Sequence, residues 1–136
     1  MNKKHFFKVI VSAIIFDSKN KFLLAKRSLT DDVLPGYWNL PGGKVDSNPE
    51  FILDVLEVNL KREVKEEVDL EIKNLKYLES YFDPNGKVNV SFTCTLKSGV
   101  AKPLEDTDEV GWFTLEEVKN LQLTPHTLRR LELALK

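Results

Sequence analysis

The fold of this chain of 136 residues is decided by one acidic stretch, residues 62–70, which reads Arg62-Glu63-Val64-Lys65-Glu66-Glu67-Val68-Asp69-Leu70. At about 100° per residue, an α-helix brings Glu63, Glu66 and Glu67 into one sector of its surface and turns Val64 and Val68 roughly the other way. Like charges three and four residues apart cost about 0.2–0.5 kcal/mol per pair, and anions near a helix C-terminus oppose the helix dipole. Helix stability alone does not favour this arrangement, whereas hard divalent cations with oxygen ligands would remove the conflict.

The acidic stretch ends the one long helix that the sequence predicts. Apolar residues recur there at every fourth position, namely Ile52, Leu56, Leu60, Val64 and Val68, which is typical of a helix with one buried face. Phe51, Leu53 and Val55 widen this stripe.

Two starts of the long helix fit the sequence. Asn48-Pro49 offers an N-cap followed by a proline at the first helical position. Asp54, with Glu57 three residues later, offers a capping box, and Leu53 and Val58 could form a hydrophobic staple beside it. We favour the later start.

The residues before the helix predict strands and a loop. Residues 6–16 and 22–25 are rich in β-branched and aromatic residues and flank a turn cluster at 17–20, which predicts a hairpin closed by Lys26-Arg27. Residues 37–40 predict a short extended piece, and Pro41-Gly42-Gly43 predicts a loop.

The residues after the helix predict a second hairpin, a strand and two helices. Residues 72–82 and 88–97 predict two strands, joined by a turn whose Asn85-Gly86 pair favours type I′. Alternating apolar residues indicate one buried face on the second of these strands, namely Val88, Val90, Phe92, Cys94 and Leu96. An acidic loop at 104–109 and a short Trp112-Phe113 strand follow, and a capping box begins at Thr114. Thr124-Pro125 starts a final amphipathic helix, which carries Leu128, Leu131 and Leu135 and has His126 in its first turn.

The sequence around the helix resembles the motif of the Nudix hydrolase (MutT-like) family. Glycines lie upstream of the helix and are followed by an acidic residue and then by residues 62–70. In that motif a Gly is followed after five residues by Glu, and after seven more by Arg-Glu-aliphatic-x-Glu-Glu-x-Gly-aliphatic. The second half departs only at Asp69, which replaces Gly, and Asp tolerates the left-handed conformation better than most residues.

The first half of the motif departs more from the family. Counting back seven residues from Arg62 gives Asp54 in place of Glu, and the glycine position before it is Asn48. Gly42-Gly43 lie five residues too early, so the loop and helix start carry an insertion. Residues 37–46 and 109–118 also look like the family's strand into the catalytic loop and its closing strand and helix.

The resemblance implies an α/β fold, a Nudix α/β/α sandwich with a mixed β-sheet between helices, over one domain of residues 1–136. Local patterns alone support only α/β or α+β. It also implies metal-assisted attack of water on a diphosphate. The metal is Mg²⁺ or Mn²⁺, held by Glu63, Glu66 and Glu67 with the Gly43 carbonyl as a further ligand. Arg62 would orient a carboxylate of this set.

Further site residues are predicted around this centre. Asp106, in the acidic loop, is a candidate extra ligand or base. Lys26 and Arg27 are candidates for substrate phosphate, Tyr37, Trp38 and Phe82 for stacking on a nucleobase, and Asn39 for a substrate contact. For each aromatic residue, packing in the core is the common alternative.

We therefore expect a pyrophosphohydrolase that acts on a nucleoside triphosphate, including an oxidised nucleotide such as 8-oxo-dGTP, or on a related nucleoside diphosphate derivative. The alternatives are a nucleotide-sugar, dinucleotide or RNA-cap hydrolase, and a nucleotide-binding regulatory module without turnover. The displaced glycine and Asp69 motivate the last alternative, and retention of all three glutamates opposes it.

Composition and charge are those of an ordinary globular protein. The net charge of −1 provides no global field for duplex nucleic acid, and 42% of residues are hydrophobic. The single cysteine and the lack of an apolar run of about 18 residues lead us to expect a cytoplasmic protein outside the membrane. It would be a monomer or homodimer acting on a small nucleotide-type substrate.

Overall fold

The computed structural model describes residues 7–46 and 50–136. His5 and the earlier helix start at Asn48-Pro49 lie outside the described residues. In the part that is described, the chain forms seven strands and three helices in the order β1 (Lys8–Phe16), β2 (Phe22–Arg27), β3 (Trp38–Asn39), β4 (Gly42–Lys44), α1 (Val55–Val68), β5 (Glu71–Asp83), β6 (Lys87–Ser98), β7 (Thr107–Phe113), α2 (Leu115–Val118) and α3 (Thr127–Ala134).

The strands form one mixed sheet. Its main order is β3-β2-β1-β6-β5, with β4 paired to β1 and β7 paired to β2. β1 and β6 run parallel, whereas the other pairs are antiparallel. The predicted first hairpin pairs only next to its turn, Phe16 with Phe22. Away from the turn, β1 pairs with β4 and β6, and β2 pairs with β3 and β7.

Helices cover both faces of the sheet. On one face, Leu60, Val64 and Val68 of α1 are fully buried against alternate residues of β1 and β2, such as Val11 and Leu23. On the other face, α2 and α3 bury Val118 and Leu131 against the intervening residues, such as Ile14 and Leu24. Because side chains alternate along a strand, one strand supplies both cores. The predicted α/β/α sandwich is confirmed.

The start of α1 differs from the prediction in its details. The helix begins after Asp54, as the later start predicts, but Asp54 is in the left-handed region at φ 52° and makes no side-chain cap bond. Phe51 and Leu53 are 88% and 71% exposed, and Val58 is also exposed. The wider stripe and the hydrophobic staple are therefore wrong, because these side chains face solvent and do not pack in the core.

Two loop predictions are wrong because distant strands provide partners. Gly42–Lys44 is a strand, paired with Ile10, Val11 and Ser12 of β1. The strand predicted at Trp112-Phe113 starts five residues earlier, at Thr107, because it pairs along β2. The acidic loop is shortened accordingly.

Two turns also differ from their predictions. The β5–β6 turn is not type I′, since Gly86 has a positive φ of 80° and Asn85 does not. The Asp83 carboxylate accepts the Asn85 N–H at 2.8 Å and fixes this three-residue loop. Helix α3 begins after His126, which is its N-cap at φ 68° and not a first-turn residue.

Candidate active site

The acidic end of α1 is fixed by its apolar face. Leu60, Val64 and Val68 anchor the helix on the sheet. Asp69 ends it in the left-handed conformation predicted for the missing glycine, at φ 59° and ψ 38°, and its N–H donates to the Lys65 carbonyl at 3.1 Å. The remaining side of the helix carries the glutamates next to β4.

The acidic end of α1 borders a cavity of about 320 Å³. The end of β2, strand β4 and the β6–β7 loop also contribute to it. It is lined by Ala25, Lys26, Arg27, Asp31, Asn39, Gly42, Gly43, Lys44, Glu63, Glu67, Glu105, Asp106 and Thr107. Of the predicted metal and substrate residues, the structure brings seven together here, namely Gly43, Glu63, Glu67, Asp106, Lys26, Arg27 and Asn39.

Gly43 and the Glu63 carboxylate occupy adjoining space. A Cβ atom on residue 43 would lie 2.5 Å from Cδ and Oε2 of Glu63, much closer than any real contact between such atoms. A glycine is thus required for the Glu63 carboxylate to approach the backbone of β4. This contact gives the predicted pairing of glycine and glutamate a physical basis.

Glu67 is the most perturbed acid of the cavity. Burial, followed by the negative charge of Glu63, raises the pKa of Glu67 to about 8, although the Gly42 backbone N–H and the Arg27 charge lower it. Burial also raises the pKa of Glu63, and Arg62 partly offsets that rise. Two carboxylates with raised pKa values in one cavity provide a place that favours added positive charge.

Glu66 lies outside the cavity that Glu63 and Glu67 line. It is absent from the cavity lining, and the Arg62 guanidinium lies 3.2 Å from its Oε2 atom and 3.2 Å from Oε1 of Glu63. The predicted ion pair between Arg62 and the glutamates is therefore present. The prediction that all three carboxylates point into one space is met by Glu63 and Glu67 only.

Two residues that the sequence reasoning missed hold the other edge of Arg62. Its Nη2 atom donates to Oδ2 of Asp46 and to Oδ1 of Asn59, both at 2.9 Å. The acid in the motif position, Asp54, is exposed and makes no side-chain cap bond. A signal for Asn59 was available, because it is a polar residue next to Leu60 in the buried stripe of the helix.

Cations line the cavity together with the carboxylates. Arg27 donates from Nη2 to Asp31 and from Nε to the Val33 carbonyl, both at 2.8 Å, so its guanidinium is fixed. Lys26 lies 3.9 Å from Glu109. Lys44, which the sequence reasoning also missed, is exposed at the end of β4. The cavity therefore presents fixed positive charge beside its acids.

The predicted stacking residues do not line the cavity. Trp38 is 8% exposed and packs edge-on against Phe113 at 5.2 Å, so it belongs to the core. Phe82 is exposed, but it lies on β5 against Phe7. Tyr37 is half-buried outside the lining. The assignment of Trp38 and Phe82 to nucleobase stacking in this cavity is wrong, because strand register turns them to other faces.

A hard divalent cation fits the donors of this cavity. Among the described residues, no three His, Cys, Asp or Glu side chains are already gathered closely enough to hold an ion. Glu63 and Glu67 nevertheless supply carboxylate oxygens in the same cavity, and Gly43 lets the backbone of β4 lie close to the Glu63 carboxylate. Carboxylate and backbone carbonyl oxygens are ligands that suit Mg²⁺ or Mn²⁺.

Comparisons with known proteins agree with this geometry. The model of the NUDIX domain family matches residues 6–134. The Nudix hydrolase YfcD of Escherichia coli K12, described as uncharacterized, is 29% identical over 128 residues, 90% of this chain and 69% of that protein. An 8-oxo-dGTP diphosphatase of Proteus vulgaris is 29% identical over 85 residues, 61% of this chain and 70% of that protein.

A solved structure resembles the whole sheet and its helices. An ADP-ribose pyrophosphatase of Streptococcus suis superposes with a TM-score of 0.75 at 28% identity, covering 96% of this chain and 90% of that one.

No helix in residues 7–46 or 50–136 is long and apolar enough to cross a membrane.

Proposed function

The chain belongs to the Nudix family of hydrolases, which act on phosphoric anhydride bonds, and on that premise we propose its cofactor, its substrate class and the roles of its residues. It is a Mg²⁺- or Mn²⁺-dependent pyrophosphohydrolase that cleaves the diphosphate linkage of a nucleoside triphosphate or a related nucleoside diphosphate derivative. One observation carries the proposal. Glu63 and Glu67 share a cavity with the fixed cation Arg27, so metal-binding and phosphate-binding groups lie side by side. The proposed catalytic unit is a single domain of residues 1–136.

The carboxylates of α1 have the role of holding the metal. Glu63 and Glu67 would supply oxygens from inside the cavity, Glu66 a third after rotation about its side chain, and the Gly43 carbonyl a fourth. Bound divalent metal lowers the pKa of water and neutralises charge on phosphoryl oxygens. The proton of the attacking water passes to one of the cavity carboxylates or to Asp106, which lies across the cavity.

The cations of the cavity have the role of orienting the diphosphate. Arg27 is already immobilised by Asp31 and the Val33 carbonyl, so little side-chain entropy is lost when it binds a phosphate. Lys26 and Lys44 add positive charge at the same cavity. Fixing the phosphoryl group in line with the attacking water is the main task of a protein in phosphoryl transfer.

A nucleoside diphosphate linked to a sugar is the second candidate substrate. Among the described residues that line the cavity none is aromatic, whereas Asp31, Asn39 and Thr107 present hydrogen-bonding groups. Such groups suit the hydroxyls of a ribose or another sugar better than the face of a base. The resemblance to an ADP-ribose pyrophosphatase supports this candidate, and the resemblance to an 8-oxo-dGTP diphosphatase supports the triphosphate.

The experiment that tests the function is a substrate panel with Mg²⁺. It would contain dGTP, 8-oxo-dGTP, ADP-ribose, a dinucleotide and a capped RNA, with phosphate measured after a coupling enzyme. We expect turnover of at least one substrate that disappears with EDTA and falls at least about a hundredfold in Glu66→Gln and Glu67→Gln. The exposed Glu116→Gln on α2 is the matched control. Nucleotide binding without turnover would instead indicate a regulatory module.

A further inference from the structure

Asn59 is a buried amide within the apolar face of α1. Only 6% of its surface is exposed, beside the fully buried Leu60. Asparagine is a weaker helix former than leucine, and a buried amide is costly unless its donor and acceptor atoms are bonded. Neither helix propensity nor apolar packing favours an asparagine at this position. The reason for it lies in its hydrogen bonds.

The hydrogen bonds of Asn59 fix its amide in one orientation. Nδ2 donates to the Val55 carbonyl one turn earlier, at 2.8 Å. Oδ1 is therefore turned toward two donors, Nη2 of Arg62 at 2.9 Å and the backbone N–H of Asp46 at 3.3 Å. One side chain thus joins the helix, the guanidinium and the segment that follows β4.

Asp46 closes the same network from the other side. Its Oδ2 atom accepts from Nη2 of Arg62 at 2.9 Å while its backbone N–H is bonded to Asn59. The guanidinium is planar and rigid, so fixing Nη2 sets the direction of Nη1. Nη1 lies 3.2 Å from the nearest oxygen of both Glu63 and Glu66. The network also ties the end of β4 to α1 ahead of the insertion.

We propose that Asn59 and Asp46 are positioning residues, which hold Arg62 so that its opposite edge keeps the Glu63 carboxylate in place for a divalent cation. The inference rests on the proposed function for its link to hydrolysis. Asp46 and Asn59 bond Arg62, whereas Asp54, the acid at the usual motif position, is exposed and makes no side-chain cap bond. Partners of metal-binding side chains commonly change metal affinity by about 10–100-fold when removed.

The test is the affinity for Mn²⁺ without nucleotide, read from the electron paramagnetic resonance signal of the free ion. Asn59→Leu keeps the volume and removes the bonds, and Asp46→Asn removes the charge from a loop residue at the surface. We expect each to raise the Kd for Mn²⁺ by about tenfold. Because both act on the same Nη2 atom, the double variant should lose less than the product of the two.

The matched control is Asn89→Leu. Asn89 is another buried asparagine, 9% exposed, but it bonds Asp83 and the Lys87 carbonyl on the β5–β6 hairpin. We expect the Kd of the Asn89→Leu variant for Mn²⁺ to stay within twofold of the wild-type value, even if the Tm of this variant falls as much as that of Asn59→Leu. Thermal unfolding in EDTA and hydrolysis at saturating Mg²⁺ would be measured on the same samples.

The outcomes separate the two proposals. A Kd within twofold of wild type in both Asn59→Leu and Asp46→Asn, or an equal loss in Asn89→Leu, would overturn the positioning role. If the wild-type protein binds Mn²⁺ in a manner that depends on Asn59 but hydrolyses no nucleotide, the proposed function is wrong and the positioning role stands. A wild-type protein that binds no Mn²⁺ would contradict both.

Discussion

Glu67→Gln is expected to stabilise the metal-free protein at neutral pH, although it removes a residue of the active site. Burial and the neighbouring Glu63 charge raise the pKa of Glu67 from 4.5 to about 8 in the folded chain. The stability contributed by the neutral carboxyl is complete below about 4.5, decreases as the pH rises, and is fully lost above about 8. Glutamine stays neutral throughout, so its advantage over wild type grows across that same window.

The magnitude follows from the width of the window. One pKa unit corresponds to about 1.4 kcal/mol, so the full difference has an upper bound of roughly 5 kcal/mol. Water in the cavity hydrates the ionised carboxylate and relieves part of this penalty. We therefore expect Glu67→Gln to gain roughly 2 kcal/mol relative to wild type between pH 5 and pH 8, which corresponds to about 6–8 °C in Tm.

The assay is thermal unfolding at pH 5, 6, 7 and 8 in EDTA, repeated with Mg²⁺. Mg²⁺ should stabilise the wild-type protein and raise the Tm of Glu67→Gln much less, because the variant has lost a ligand and a charge. Glu116→Gln, which changes a side chain that is 84% exposed, should follow wild type at every pH. A Tm difference that is the same at pH 5 and pH 8 would mean that the cavity imposes no penalty on the ionised acid, contrary to this prediction.

Three further predictions concern single side chains. Gly43→Ala should lower kcat/KM at least about tenfold with little change in Tm, because the added Cβ displaces the flexible carboxylate of Glu63. Unchanged steady-state kinetics would show that the placement of Glu63 does not require a glycine at position 43. Arg27→Ala should raise KM about tenfold, whereas Arg129→Ala, which removes an ion pair between α3 and β5, should not; equal KM values in the two variants would exclude Arg27 from phosphate binding. Leu60→Ala, at a fully buried site, should lower the free energy of unfolding in urea by about 2–5 kcal/mol, and a loss below 1 kcal/mol would mean that α1 is not anchored there.

Local chemistry allowed much of the fold to be predicted from the sequence. The capping box at Thr114 forms with both of its hydrogen bonds. Asp69 takes the left-handed conformation, and Val90, Phe92 and Cys94 form one buried face of β6. Each of these features depends on residues a few positions apart, so that periodicity and side-chain chemistry are sufficient to predict them.

The features that escaped prediction depend on partners far along the chain. Nothing local to Gly42-Gly43-Lys44 favours a strand, and its hydrogen bonds come from β1, about thirty residues earlier. Trp38 is buried because α3 covers that face of the sheet. At the site, the spacing of the motif pointed to Asp54 as the acid before Arg62, whereas in the structure Asp46 forms an ion pair with Arg62. A motif spacing assumes a fixed number of residues between two elements. The insertion between Gly43 and Asp54 changes that number, while Arg62 still needs an acidic partner.

The most direct test of the metal-binding role of α1 is a crystal soaked in Mn²⁺ and measured for anomalous scattering. We expect at least one manganese peak between Glu63 and Glu67, about 2.0–2.3 Å from a carboxylate oxygen. We also expect the Glu66 side chain to turn toward that peak. Both carboxylates free of any peak in crystals that bind Mn²⁺ elsewhere would contradict the claim that these acids exist to hold a divalent cation.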